Sequence, residues 1–264
     1  MNSAGVRDMA AALLLIPGGF SPQTQAAEQL RIASDDWCPY VCAAEHQLTG
    51  GFLVELVSRA MASQGYRVEP LLLPLSRAIA STENGKVEGV YAPPIDARLR
   101  LSAPLAYSRA CFYTRTDENW SYLGLDSLRS IQLGVIPDYG YDDGPMDAYI
   151  LNNQNNHSTI SFSYGEKASS NNLQRLLGRR FPVLLEHATV IQHLSSALGV
   201  SNKIRLAGCL EQPLPLTIGF AKADIRAGAW LQALRLGLQK VTAAGELREL
   251  QRKYQLSNDG SASP

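Results

Sequence analysis

Gly51-Phe52-Leu53-Val54-Glu55-Leu56-Val57-Ser58-Arg59-Ala60-Met61-Ala62-Ser63-Gln64-Gly65 comes one turn after the short apolar run Leu30-Arg31-Ile32-Ala33-Ser34. Phe52, Leu53, Leu56, Val57, Ala60 and Met61 recur at helical spacing, Glu55, Ser58 and Arg59 take the opposite face, and Gly65 closes the stretch as a C-cap glycine does. The pair therefore predicts a strand over 30–34 followed by an amphipathic helix over 52–64. Working outward, 66–73 reads as a strand, 76–84 as a helix closed by Gly85, and 87–92 as a strand ending at Pro93-Pro94. Together these make a βαβαβ unit.

A second copy begins at 131–136, a buried strand. A loop of Tyr, Asp and Gly over 137–144 and a helix over 145–152 follow it. After the polar run Asn152-Asn153-Gln154-Asn155-Asn156 come a strand at 160–163, a helix at 169–177, a strand at 181–185 and a helix at 188–198. The chain crosses between the units at 104–115 and returns through 204–207 and 215–220. It closes with helices over 227–243 and 246–254, broken at Gly245, and a frayed tail from Ser257. The expected fold class is α/β, with two Rossmann-like lobes joined by two hinge strands. Residues 28–110 with 216–264 form the first lobe and 111–215 the second. A cleft between such lobes binds small molecules, and two connections let it close.

At 264 residues and 45% hydrophobic content the chain is long enough for two modest cores. Lys plus Arg balance Asp plus Glu at 24 each, and like charges never run beyond two residues, so no hold on nucleic acid or anionic lipid is expected. Residues 1–27 carry Arg7, then an apolar core, then small residues at Ala26 and Ala27. This is the layout of a cleaved signal peptide and of export to the periplasm, with a disordered N-terminus as the alternative. Cys38 and Cys42 are spaced to close a small disulfide ring in an oxidising compartment, free thiols being the alternative. The four histidines, His46, His157, His187 and His193, are too scattered for a metal pair, and no cofactor is expected. Cys111 and Cys209 pair only if the two connecting strands lie side by side.

Trp37-Cys38-Pro39-Tyr40, Gly51-Phe52-Leu53-Val54-Glu55-Leu56 and Leu73-Pro74-Leu75-Ser76-Arg77-Ala78 stand in order along the chain. Arg98 ahead of Leu101-Ser102-Ala103-Pro104-Leu105, Leu128-Arg129-Ser130-Ile131-Gln132-Leu133-Gly134-Val135, Gly245-Glu246-Leu247 and Lys253-Tyr254 continue the series. This ordered series resembles the periplasmic solute-binding proteins of the family 3 type, which serve polar amino acid uptake. The resemblance implies the two-lobed type II periplasmic-binding fold and a monomeric, non-catalytic protein. It also implies capture of a small polar ligand, an amino acid or related carboxylate, for the permease of an ABC transporter.

The same resemblance assigns Arg98 to clamp a ligand carboxylate, through the parallel hydrogen bonds a guanidinium fork can make. Here Pro94-Ile95-Asp96-Ala97 replaces the Thr-x-Glu pattern that commonly precedes that arginine, so a surface arginine paired with Asp96 is the alternative. Glu186 corresponds to the acid that receives a ligand ammonium, and Arg77 to a cleft-lining arginine. Asp138-Tyr139-Gly140-Tyr141 ahead of a helix would aim backbone N–H groups at an anion, bringing Tyr139 and Tyr141 to the ligand. Trp37 and Tyr40, at the end of the first strand, offer flat faces for stacking, or pack over the cysteine ring. Two other functions fit the same lobes. One is a sensory protein signalling to a separate membrane receptor. The other is a dehydratase-like enzyme using Glu186 or Asp138 as an acid.

Overall fold

The computed structural model describes residue 1 and residues 27–256; the expected signal peptide, but for its end residues, and the expected frayed tail lie outside them. Strand β1 (Glu28–Ser34) leads into a hairpin, β2 (Cys42–Ala44) and β3 (Gln47–Gly50), and then into helix α1 (Phe52–Ala62). The hairpin turns on Glu45 and His46, both at positive φ (50° and 62°), the two-residue geometry that matches strand twist. Neither residue is the Asn or Gly that ordinarily signals such a turn. β4 (Tyr66–Leu72), α2 (Leu75–Glu83), β5 (Gly89–Tyr91) and β6 (Leu99–Leu101) complete the outward path of the first lobe.

The loop between β1 and β2 is tied to α1. Phe52 and Leu53 donate their backbone N–H groups to the carbonyls of Pro39 and Tyr40, each at 2.9 Å, so the loop caps the helix in place of a side chain. A Cβ on Gly51 would stand 2.5 Å from the Tyr40 carbonyl oxygen, and its φ of 110° is glycine's territory, so this contact demands Gly. The Cys38–Cys42 disulfide closes the same loop. Tyr40 is thereby held within a covalently closed ring standing on a helix end, and Trp37, just outside it, is bridged to Val41.

The chain leaves through β7 (Ala106–Ser108) into β8 (Ala110–Arg115), and the second lobe follows. It consists of β9 (Leu133–Val135), α3 (Pro145–Asn153), β10 (Ile160–Phe162), α4 (Ala168–Leu177), β11 (Val183–His187), α5 (Ala188–Ala197) and β12 (Ile204–Cys209). β13 (Leu214–Leu216) brings the chain back to β14 (Ile218–Ala221), and α6 (Ala227–Ala243) and α7 (Glu246–Lys253) pack on the first lobe. Each lobe is built on a five-stranded sheet, ordered β4-β1-β5-β14-β6 in one and β10-β9-β11-β8-β12 in the other. The connecting strands β7 and β13 pair only with each other.

The strand expected at 181–185 lies at Val183–His187 instead. Gly134 leaves no Cβ to displace the Phe181 ring, which would sit 2.2 Å from one, so Phe181 packs across β9 and pairing starts two residues later. Glu186 and His187 therefore end the strand rather than follow it. β8 and β12 are antiparallel neighbours with Cys111 opposite Cys209, which meets the condition for their pairing, and the two form a disulfide. It closes a loop of 98 residues containing most of the second lobe. In the chain-entropy picture such a bridge stabilises by about 4.7 kcal/mol, against about 2 kcal/mol for a ring the size of Cys38–Cys42.

Candidate functional site

β1 and β11 point their carboxyl ends at one another across the gap between the lobes, where open α/β sheets place ligands. Ser34 and Asp35 stand at the first end, Glu186 and His187 at the second, and all four are buried. The lobes are joined here by two reciprocal bridges. Tyr139 of the second lobe donates its hydroxyl to Asp35 Oδ2 of the first at 2.6 Å. Trp37 of the first lobe donates its indole N–H to Glu186 Oε1 of the second at 3.4 Å. Each lobe thus supplies one carboxylate and one aromatic donor.

Around these bridges the cleft is shut. Asp36 donates its N–H to the Glu166 carbonyl at 2.9 Å, Tyr40 bonds Thr189 Oγ1 at 3.2 Å, and the Ser76 hydroxyl donates to Asp138. A cavity of about 20 Å³ remains, room for about one water-sized group. Its wall is formed by Ser34, Asp35, Trp37, Leu75, Ala92, Tyr139, Gly140, His187 and Leu214. The Trp37 ring meets Tyr40 and His187 at 4.9 Å and Tyr139 edge-on at 6.1 Å, while Tyr141 stacks on His187 at 5.9 Å. Ala92 is held at φ 46°, a strained value for a residue with a side chain.

Burial dominates the electrostatics of the site. It pushes Asp35 up to about 7 against the pull of the Tyr139 hydrogen bond. It pushes Glu186 up to about 7 as well, against bonds from Ser169 Oγ (2.7 Å), the His187 N–H (2.9 Å) and Trp37. The His187 imidazole is driven down to about 4 by the same burial and is neutral. Its Nε2 lies 3.0 Å from the Gly140 carbonyl, which only accepts, so the proton sits there and Nδ1 accepts from Ser108 Oγ at 3.0 Å. The cavity wall carries carboxylate and neutral donors and contains no Lys or Arg.

Of the residues singled out from sequence, Trp37 and Tyr139 form the cavity wall, Glu186 adjoins it through Trp37, and Tyr40 and Tyr141 are buried behind it. The two arginines are elsewhere. Arg98 is 44% exposed and gives its fork to Asp96 at 2.7–3.2 Å and its other nitrogen to Glu83 at 3.1 Å, the surface pairing that was the alternative to a ligand clamp. Arg77 is exposed on the first turn of α2 and is not part of the cavity wall.

The expected anion nest ahead of α3 is filled by the chain's own acids. Tyr141, Asp142 and Asp143 donate their N–H groups to the Asp147 carboxylate, and Gly144, Met146 and Asp147 donate theirs to Asp142. Ser34, Asp35 and His187 were missed. The signal for Asp35 was its position as the first charged residue after the apolar run of β1, where the cleft must begin. His187 gave no signal of its own, because the strand was placed two residues early. Among the described residues no group of three or more His, Cys, Asp or Glu is arranged to hold a metal ion.

No protein-family model matches the sequence, and no curated protein matches it. Solved structures do. A histidine kinase sensor domain with similarity to periplasmic binding proteins superposes with a TM-score of 0.73 at 14% identity, covering 87% of this chain and 96% of that one. An ancestral arginine-binding protein bound to arginine gives 0.72 at 16% identity, covering 87% and 99%. A Salmonella typhimurium periplasmic binding protein of high arginine specificity gives 0.66 at 16% identity, covering 86% and 99%. With its paired five-stranded sheets, its double connection and these superpositions, the chain has the two-lobed type II periplasmic-binding-protein fold.

Proposed function

We propose that this protein captures a small polar solute between its lobes and releases it unaltered. The reading rests on one observation: Asp35 and Trp37 of the first lobe share the wall of one small cavity with Tyr139 and His187 of the second, so a guest seated there is held by both lobes at once. Closure of that kind converts ligand contacts into a change of shape that a second protein can sense. The two disulfides fit an oxidising compartment, and with the leader expected at 1–27 they support a periplasmic location. The partner in this reading is the permease of an ABC transporter, since several superposed structures are transporter substrate-binding proteins. The kinase sensor domain, at a TM-score of 0.73, favours a second partner, a membrane receptor that reads the same closure. Catalysis is not part of the proposal, although Glu186, buried and pushed up to about 7, has the protonation an acid catalyst needs.

Thermal unfolding of the purified protein against a panel of amino acids, amines, carboxylates and sugars tests capture, because a ligand that binds only the folded form raises Tm by mass action. At least one compound is expected to raise Tm in proportion to the logarithm of its concentration and to be recovered chemically unchanged. A panel without any such compound overturns capture, and a recovered product overturns its non-catalytic part.

A further inference from the structure

Resting on that reading of capture, we infer that the ligand is a small organic amine without a carboxylate, its ammonium or guanidinium group seated between Asp35 and Glu186. Three observations carry this. First, the charge that the site itself supplies is of one sign: Asp35 in the cavity wall and Glu186 behind Trp37 are both buried, neither has a Lys or Arg within salt-bridge distance among the described residues, and the imidazole beside them is committed to Ser108 and Gly140 as a neutral ring. Second, the arginines that would receive a carboxylate are elsewhere, Arg98 among Asp96 and Glu83 and Arg77 on the exposed face of α2. Third, the walls beside the acids are the rings of Trp37 and Tyr139, whose faces attract cations.

A ligand carboxylate entering here would meet two buried acids and no Lys or Arg in the cavity wall, with the local N–H donors already taken by Asp142 and Asp147. An ammonium meets the opposite situation. In the closed protein each acid accepts from a neutral aromatic donor of the other lobe, and a cationic N–H makes a shorter and stronger bond to a carboxylate than a phenol or indole does. One ammonium can donate to both acids and so replace both bridges while still tying the lobes together. Because the closed cavity is only about 20 Å³, the ligand-bound form is less tightly shut than this one, with Tyr139 and Trp37 swung from the acids to flank the guest. An amine of this kind differs from the amino acid or carboxylate that the sequence resemblance implies.

Isothermal titration calorimetry with three pairs differing only in a carboxylate tests the inference: agmatine against arginine, putrescine against ornithine, and tyramine against tyrosine. In at least one pair the amine is expected to bind tenfold or more tightly than its amino acid, and Asp35→Asn is expected to weaken that amine at least tenfold. Glu186→Gln is the parallel variant should Asp35→Asn fail to show a wild-type circular dichroism spectrum. Amino acids that bind as tightly as their amines in every pair overturn the inference and leave capture standing. Absence of binding by all six also overturns it, and the wider panel then decides capture by itself.

Discussion

Two carboxylate clusters in this molecule receive opposite treatment. On the outside of the first lobe, Asp96 and Glu83 enclose Arg98, and Arg98 holds Asp96 below the usual carboxylate range through its hydrogen bonds. In the cleft, Asp35 and Glu186 have only neutral partners and are pushed up to about 7 by burial. Where water already solvates the charges, the chain supplies a cation that is hardly needed. Where solvation is lost, it leaves the acids without one. Unpaired buried carboxylates cost stability, so a sequence that keeps two of them at the mouth of a hinged cleft keeps them for something other than the closed state.

The widest gap between the clusters is in their response to pH. Asp35 and Glu186 have raised values, so their contribution to the closed, folded form is complete below about pH 4 and is lost as pH rises through about 7. His187, lowered to about 4, acts the other way: its contribution is complete above about 6.5 and is lost as pH falls through 4. Near pH 5.5 the folded form therefore keeps two protons that the unfolded chain has released and lacks one that it has gained. The net single proton makes stability fall by about 1.4 kcal/mol per pH unit. Asp147, pushed up to about 6 by burial, adds in the same direction. Urea unfolding between pH 5 and 7 is expected to show this fall, and Asp35→Asn with Glu186→Gln to abolish it. A double variant with the wild-type slope would put the two clusters on an equal footing.

A smaller effect isolates one bridge. Tyr139→Phe deletes the hydroxyl that reaches Asp35 from the other lobe and keeps the ring. The loss is expected at about 1–3 kcal/mol at pH 8, where the acid is ionised and needs its donor, and at under about 1 kcal/mol at pH 5, where it is protonated. Small-angle scattering at pH 8 should show a larger radius of gyration for the variant than for the wild type. Equal penalties at both pH values would mean that the hydroxyl serves packing rather than the charge of Asp35.

Most of the architecture was legible because it follows from periodicity. The faces of α1 and α6 and the apolar runs of β1, β4 and β9 are local patterns, and local patterns survive in sequence. The three-residue strands β6 and β7 and the Glu45-His46 hairpin carry no such pattern, and the tertiary pairing that makes them strands cannot be read from spacing. At the site, Trp37 and Tyr139 were singled out because they lie in the turns after β1 and β9, and Glu186 because the strand was expected to end just before it. Arg98 pairs with Asp96 in this structure because a guanidinium suits a carboxylate two residues away as well as it suits a ligand. Asp35 was overlooked because its place after β1 becomes a signal only once the second lobe is known to cover it.

Arg98 gives the smallest effect and the sharpest control. Its side chain and that of Glu83 are 44% and 45% exposed, and pairs so well solvated contribute about 0–1 kcal/mol. Arg98→Ala is expected to lower the urea-unfolding free energy within that range, with the difference shrinking further in 1 M salt, where screening reaches within a few ångströms. Agmatine binding should be unchanged, since the guanidinium is spent on Asp96 and Glu83. Loss of amino acid binding in this variant would mean that Arg98 leaves Asp96 when the lobes part and swings to the ligand. The outer cluster would then be a store for the cleft's missing cation, and the separation between the two clusters would hold only in the closed form.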